Sequence, residues 1–250
     1  MEDYGEIINK EINKNTSKND HYYMNVKGWT YSLIFVIPLA IIYELSSLIA
    51  NRSMTTGIRS AAEVWILKFL FALGFPSFIP LSIIFIMAFG IVYFLKRRKG
   101  FTIKWHYLIY MFIESLVLGA ILGIVVSLSM RILPLSLDAL HNISLSFGAG
   151  LYEELIFRAL MLPALAFLFT KLKFKKILGW SLAILISSIL FSIMHHIGAY
   201  GEPFRINAFI YRFLSGLFFS GLYLMRGFGI TAWSHSIYDL LVFGNFYSMF

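Results

Sequence analysis

From residue 29 onward the chain alternates long apolar runs with short polar or basic intervals. Runs at 29–50, 79–95, 105–132, 147–170, 178–196, 208–225 and 230–249 approach the roughly 20 residues that an α-helix needs to cross a hydrocarbon core about 30 Å thick. The pattern predicts an all-α fold, a polytopic membrane helix bundle of about seven spans. The run 60–74 is shorter, carries Glu63 and Lys68 and ends at Gly-Phe-Pro, so it reads as one short re-entrant or interfacial helix. Residues 1–28 form a polar cytoplasmic tail, 29–133 an amino-terminal transmembrane region and 134–250 a carboxyl-terminal transmembrane core. Within that core, 134–145 reads as a short polar loop holding Asp138 and His141.

Composition narrows the class. Hydrophobic residues make up 59% of the chain and charged residues only 14%, too little charge for a soluble domain of this length. The formal net charge of +8 does not make a nucleic-acid footprint, because the basic residues sit between apolar runs, at Lys96-Arg97-Arg98-Lys99 and at Lys171, Lys173, Lys175 and Lys176. Clusters so placed set topology, and they put the amino terminus in the cytoplasm. The first apolar run lacks a small-residue cleavage signature and reads as an uncleaved anchor. With no cysteine, disulfides, thiolate nucleophiles and cysteine-ligated metals are excluded.

The ionisable residues inside the runs are the candidates for chemistry, since a charge at bilayer depth costs a few kcal/mol and persists only with a partner or a water-filled cavity. Glu44 needs company from Arg52 or Arg59, and with Arg59 and Glu63 it reads as a structural polar cluster. Glu114 lies in a run with Gly119 and Gly123, which permit close helix packing. The densest stretch is Glu153-Glu154-Leu155-Ile156-Phe157-Arg158. On a helix Glu154 and Arg158 are stacked four apart and pair, whereas Glu153 is turned about 100° away and stays free. Gly148-Ala149-Gly150 just before them admits a neighbouring helix. Two later runs add Phe191 with His195, and His235 with Asp239, each pair four apart on one face. His196 points elsewhere and reads as a bystander.

Glu153-Glu154-x-x-x-Arg158, Phe191-x-x-x-His195 and His235-x-x-x-Asp239, in that order on separate helices, resemble the motif set of the CAAX-protease and bacteriocin-processing (CPBP, or Abi) family of intramembrane proteases. The resemblance covers about residues 148–239. It implies hydrolysis of a peptide bond in a membrane protein or peptide substrate, by an integral protein of a bacterial inner membrane, with the lipid bilayer as its surroundings. Position by position, it implies Glu153 as the glutamate that activates water and His195 as the histidine that helps hold that water. It further implies His235 and Asp239 as the pair that stabilises the oxyanion, and Glu154 with Arg158 as the supporting ion pair. At position 239 many family members have Asn, and an ionised Asp cannot donate a hydrogen bond; Asp239 instead has the chemistry to orient His235 or keep it charged.

No cofactor is favoured, but the same Glu, His and Asp residues are also zinc-ligand types, and a bound zinc would lower the pKa of its water to about 7. Two further classes compete: a non-catalytic membrane scaffold or immunity protein, and a transporter relaying protons through buried Glu, His and Asp. The transporter predicts pseudo-symmetric halves, which the sequence does not show. There is no His-Glu-x-x-His and no Gly-x-Ser-x-Gly. One geometric demand remains: His235 lies nearer the cytoplasmic end of its run than the glutamates do in theirs, so the last helix must be shifted, tilted or broken near Gly229 for the site to close.

Overall fold

The computed structural model describes residues 22–52, 59–75, 81–98, 101–129, 139–198 and 201–243. The fold is all-helical, with no strand among the described residues. After a turn of helix at 22–26, the elements are α1 (Trp29–Arg52), α2 (Ala61–Ala72), α3 (Leu81–Arg97), α4 (Trp105–Ser129), α5 (Ala139–Glu154), a π-helical segment (Leu155–Met161), α6 (Leu162–Lys171), α7 (Lys176–Met194), α8 (Ile206–Arg226) and α9 (Phe228–Phe243). Among the described residues four helices, α1, α4, α7 and α8, are long and apolar enough to cross a membrane. The other expected spans are present as helix over their described residues, 17 in α3 and 16 in α9, and the run 139–171 is divided by its π segment.

α9 is the hub. Its residues from Phe228 to Asp239 are buried throughout, enclosed by α1, α4, α5 and α8. Missing side chains make this possible. A Cβ on Gly119 of α4 would come within 2.7 Å of the Ser234 carbonyl oxygen, and one on Gly150 of α5 within 2.1 Å of Ser236 Oγ and 2.5 Å of the Ala232 carbonyl oxygen. Both glycines therefore fix how closely their helices approach α9. Trp233 fills the apolar centre beside Phe35, Phe112 and Phe147, and its indole N–H donates to the Phe35 carbonyl at 2.7 Å. On the outside, Ile109, Ile113, Val117, Ile121 and Ile124 of α4 form an exposed stripe at helical spacing, as a lipid-facing surface does.

The turn that sets the last helix is at Gly227, close to Gly229, where a shift, tilt or break was expected. Gly227 has φ 81° and lies against the Lys27 backbone, where a Cβ would meet the carbonyl oxygen at 2.6 Å. Only a glycine fits there, on both counts. The chain turns from α8 directly into α9 at a buried junction, with Arg226 tied to Glu114 at 2.5 Å. That sinks the start of α9 into the bundle and carries His235 to the glutamates.

Residues 139–145, expected as loop, are the first two turns of α5; His141, Asn142 and Ser144 are buried there, as is Ser146 just after them. Small hydroxyl and amide side chains look loop-like in sequence, yet they pack between helices and let them close up. Asp138 lies outside the described residues. Glu44 takes Arg59 at 3.0 Å, and Arg59 also reaches Glu63 at 3.4 Å. Tyr43 donates to Glu63 and accepts from the Ser60 N–H at 3.1 Å. The other expected partner of Glu44, Arg52, has a side chain outside the described set.

Candidate active site

Glu153 and Glu154 are the last two residues of α5, and the π segment begins immediately after them. Pro163 accounts for the widened turns. It lacks an N–H to bond the carbonyl four residues back, and its ring crowds that carbonyl, so the backbone relaxes into i→i+5 spacing, which recurs at functional sites. Ser187 of α7 donates to the Phe157 carbonyl at 2.9 Å inside this stretch, replacing part of what the helix gives up.

The adjacent carboxylates have opposite surroundings. Glu154 is fully buried, and its Oε1 accepts from Arg158 Nη1 at 2.8 Å and from His235 Nδ1 at 2.7 Å. Arg158 is also fully buried; its Nη2 donates to the Gly216 carbonyl at 3.3 Å and its guanidinium lies over the Phe191 ring at 4.3 Å. The expected ion pair is present and does more than neutralise itself, because it also orients His235. Nδ1 bonded to a carboxylate leaves Nε2 to face the site. Phe219 holds the imidazole from the side, stacked at 4.4 Å and 18°.

Glu153 Oε2 is buried and has no hydrogen-bond partner among the described residues. Two imidazole nitrogens face it from different helices: His195 Nε2 at 3.8 Å and His235 Nε2 at 4.0 Å. His195 is the C-cap of α7, and its Nδ1 is occupied by the Phe191 carbonyl at 2.8 Å. The Phe191-x-x-x-His195 spacing thus fixes the ring in the same sense as the carboxylate fixes His235. Separations of 3.8–4.0 Å are too long for direct hydrogen bonds and suit one small polar molecule held between the three groups. Asp239 Oδ2 lies 3.6 Å from His235 Nε2, on the site side of that ring. His196 bonds the loop carbonyl of Glu202 at 3.2 Å, away from this group.

The six residues singled out in the sequence therefore converge at one place. Three others escaped notice. Glu202, in the loop after His195, pairs with Arg212 of α8 at 2.8 Å, and the charge of Arg212 interacts with His195 and Asp239. A lone arginine within an apolar run was the available signal. Phe219 carried none, being one of 25 phenylalanines.

The donor types would suit zinc, but among the described residues no three His, Asp or Glu side chains are grouped to hold a metal ion. Oxygen partners on both Nδ1 atoms leave the two Nε2 atoms free to face Glu153.

No curated protein and no solved structure matches the chain. Residues 135–241, which carry all three motifs, match the family model described as type II CAAX prenyl endopeptidase Rce1-like. This carboxyl-terminal segment is similar to the CAAX-protease family that its motifs resemble.

Proposed function

We propose that the protein is an intramembrane endopeptidase that hydrolyses a peptide bond of a membrane-associated protein or peptide, using water activated by Glu153 and no metal. The observation that carries this reading is the unpaired, buried Oε2 of Glu153 facing two imidazole Nε2 atoms. A carboxylate facing two imidazoles across a gap that suits one water is placed to take a proton from that water. Water held between Glu153 and His195 gives its proton to Glu153 as its oxygen attacks the scissile carbonyl carbon. Glu153 then returns that proton to the leaving amine. His235, fixed by Glu154 and Phe219, faces the charge that develops on the carbonyl oxygen, where donors in a dry site supply several kcal/mol of stabilisation.

The basic residues Lys96, Arg97, Arg98, Lys171, Lys173, Lys175 and Lys176 flank the ends of α3, α6 and α7, and His195 lies at the opposite end of α7 from Lys176. By the positive-inside rule, the basic end and the amino terminus face the cytoplasm and the site opens towards the other face. A reporter peptide with a membrane helix, reconstituted in liposomes with purified protein, tests the function. Wild type is expected to cut it, and Glu153→Gln is expected to lose 10²–10⁴-fold in rate, as for removal of a general base. Equal cutting by both would remove Glu153 from the chemistry.

A further inference from the structure

The resemblance leaves the oxyanion short of a donor. His235 offers Nε2, but the second position of its motif is Asp239, which donates only when protonated, and its Oδ2 is 3.6 Å from that same Nε2. A carboxylate so placed repels a developing oxyanion unless a cation answers it.

Arg212 is that cation. It lies in the second turn of α8, only 16% exposed at its side chain, and it is held by Glu202 through Nη2 at 2.8 Å. The other terminal nitrogen, Nη1, is buried and has no hydrogen-bond partner among the described residues. Leaving a hydrogen bond of a buried charged group unmade is costly, so a free N–H of this kind invites an acceptor. Its charge interacts with His195, Asp239 and Tyr211.

Glu202 ties this arginine to the water-holding histidine. The Glu202 N–H donates to the His195 carbonyl at 2.9 Å, and its carbonyl oxygen meets His196 Nδ1 at 3.2 Å. The loop is thereby anchored to the end of α7, and its carboxylate reaches across to α8. Burial pushes the Glu202 carboxyl up, but the hydrogen bond and charge of Arg212 outweigh it and hold the group below its ordinary value. The clamp is ionised at neutral pH.

We propose that Arg212 is a further catalytic residue that donates from Nη1 to the oxyanion, with Glu202 as its positioning residue. This rests on the reading that Glu153 activates water. As the water oxygen bonds to the carbonyl carbon, its proton passes to Glu153 and the carbonyl π pair moves onto oxygen. Arg212, charged throughout, donates a hydrogen bond to that oxygen as it forms, and the bond weakens when the C–N bond breaks and the amine takes the proton from Glu153. A planar guanidinium held on one edge by a carboxylate is preorganised for this in a way that a lysine is not.

The test uses the full chain in liposomes with a membrane reporter peptide, measuring kcat and KM separately together with the melting temperature. Arg212→Ala is expected to lower kcat 10²–10³-fold, as for loss of one oxyanion donor, with KM little changed. Added ethylguanidinium is expected to restore part of kcat. Arg212→Lys keeps the charge and a comparable stem, and it is expected to fold and still lose at least about tenfold in kcat. Glu202→Gln is expected to lower kcat by a smaller factor and to add nothing to Arg212→Ala. An unchanged kcat in both arginine variants, or a loss confined to KM, would overturn the proposal. A loss that follows the melting temperature and resists rescue would overturn it as well. Glu153→Gln separates the two failures. If it is inactive while Arg212→Ala is as fast as wild type, only the arginine assignment falls; if it is as fast as wild type, the water-activation reading falls.

Discussion

Replacing Glu154 by Gln removes one charge that two buried groups share. Arg158 Nη1 at 2.8 Å and His235 Nδ1 at 2.7 Å both rest on the same Oε1, and Arg158 has no exposure to water. Breaking a buried ion pair by deleting one partner costs about 3–5 kcal/mol, because the remaining charge stays buried and uncompensated. Gln keeps the shape and one acceptor oxygen, so the lower end, about 3 kcal/mol, is the expected loss. At about 2–4 °C per kcal/mol for a chain of this size, the melting temperature falls by about 6–12 °C. The neighbouring Glu153→Gln should behave in the opposite way. Glu153 Oε2 has no hydrogen-bond partner among the described residues, and its nearest imidazole nitrogens are 3.8 and 4.0 Å away. Stability should therefore change by less than about 1 kcal/mol, while the rate falls 10²–10⁴-fold. Thermal unfolding in detergent, run beside reporter cleavage, reads both. The reasoning is refuted if Glu153→Gln loses as much stability as Glu154→Gln, or if Glu154→Gln melts with wild type.

Three further outcomes follow from the geometry. Gly150→Ala places a Cβ at 2.5 Å from the Ala232 carbonyl oxygen, so α5 must move off α9; a loss of about 1–3 kcal/mol and a matching fall in cleavage are expected, measured by unfolding and reporter assay. Tyr43→Phe removes the hydrogen bonds to Glu63 and from the Ser60 N–H; unfolding should show a loss of about 1–3 kcal/mol, with the rate per folded molecule unchanged. Exhaustive chelation should leave cleavage by the wild type intact, and zinc added back should not raise it.

Much of the site was legible because its parts are local. Residues four apart share a helix face, so Glu154 with Arg158, and Phe191 with His195, could be paired from sequence alone. That Glu153 has no partner within its own helix followed from the same geometry. What could not be read were bonds between helices: Glu154 to His235 spans 81 positions, and nothing in either motif says which carboxylate the imidazole takes. Arg212 was visible as a charge in an apolar run, but its role depends on a loop folding back from His195 to deliver Glu202. In the fold, apolar period located the helices and missed where α5 begins, since buried Ser and Asn read as loop. The close approach of Lys27 that demands a glycine at 227 is a tertiary fact, and no local pattern carries it. The π turns after Glu154 had one local sign, Pro163.

The most direct measurement compares single-turnover cleavage of a liposome-embedded reporter by wild type and by Glu153→Gln, with the wild type also assayed after exhaustive chelation. The account predicts a well-folded Glu153→Gln that cuts at least 100-fold more slowly, a drop within the range for loss of a general base, and a wild type indifferent to chelation. Cleavage by Glu153→Gln at the wild-type rate, or wild-type activity abolished by chelation and restored by zinc, would contradict it.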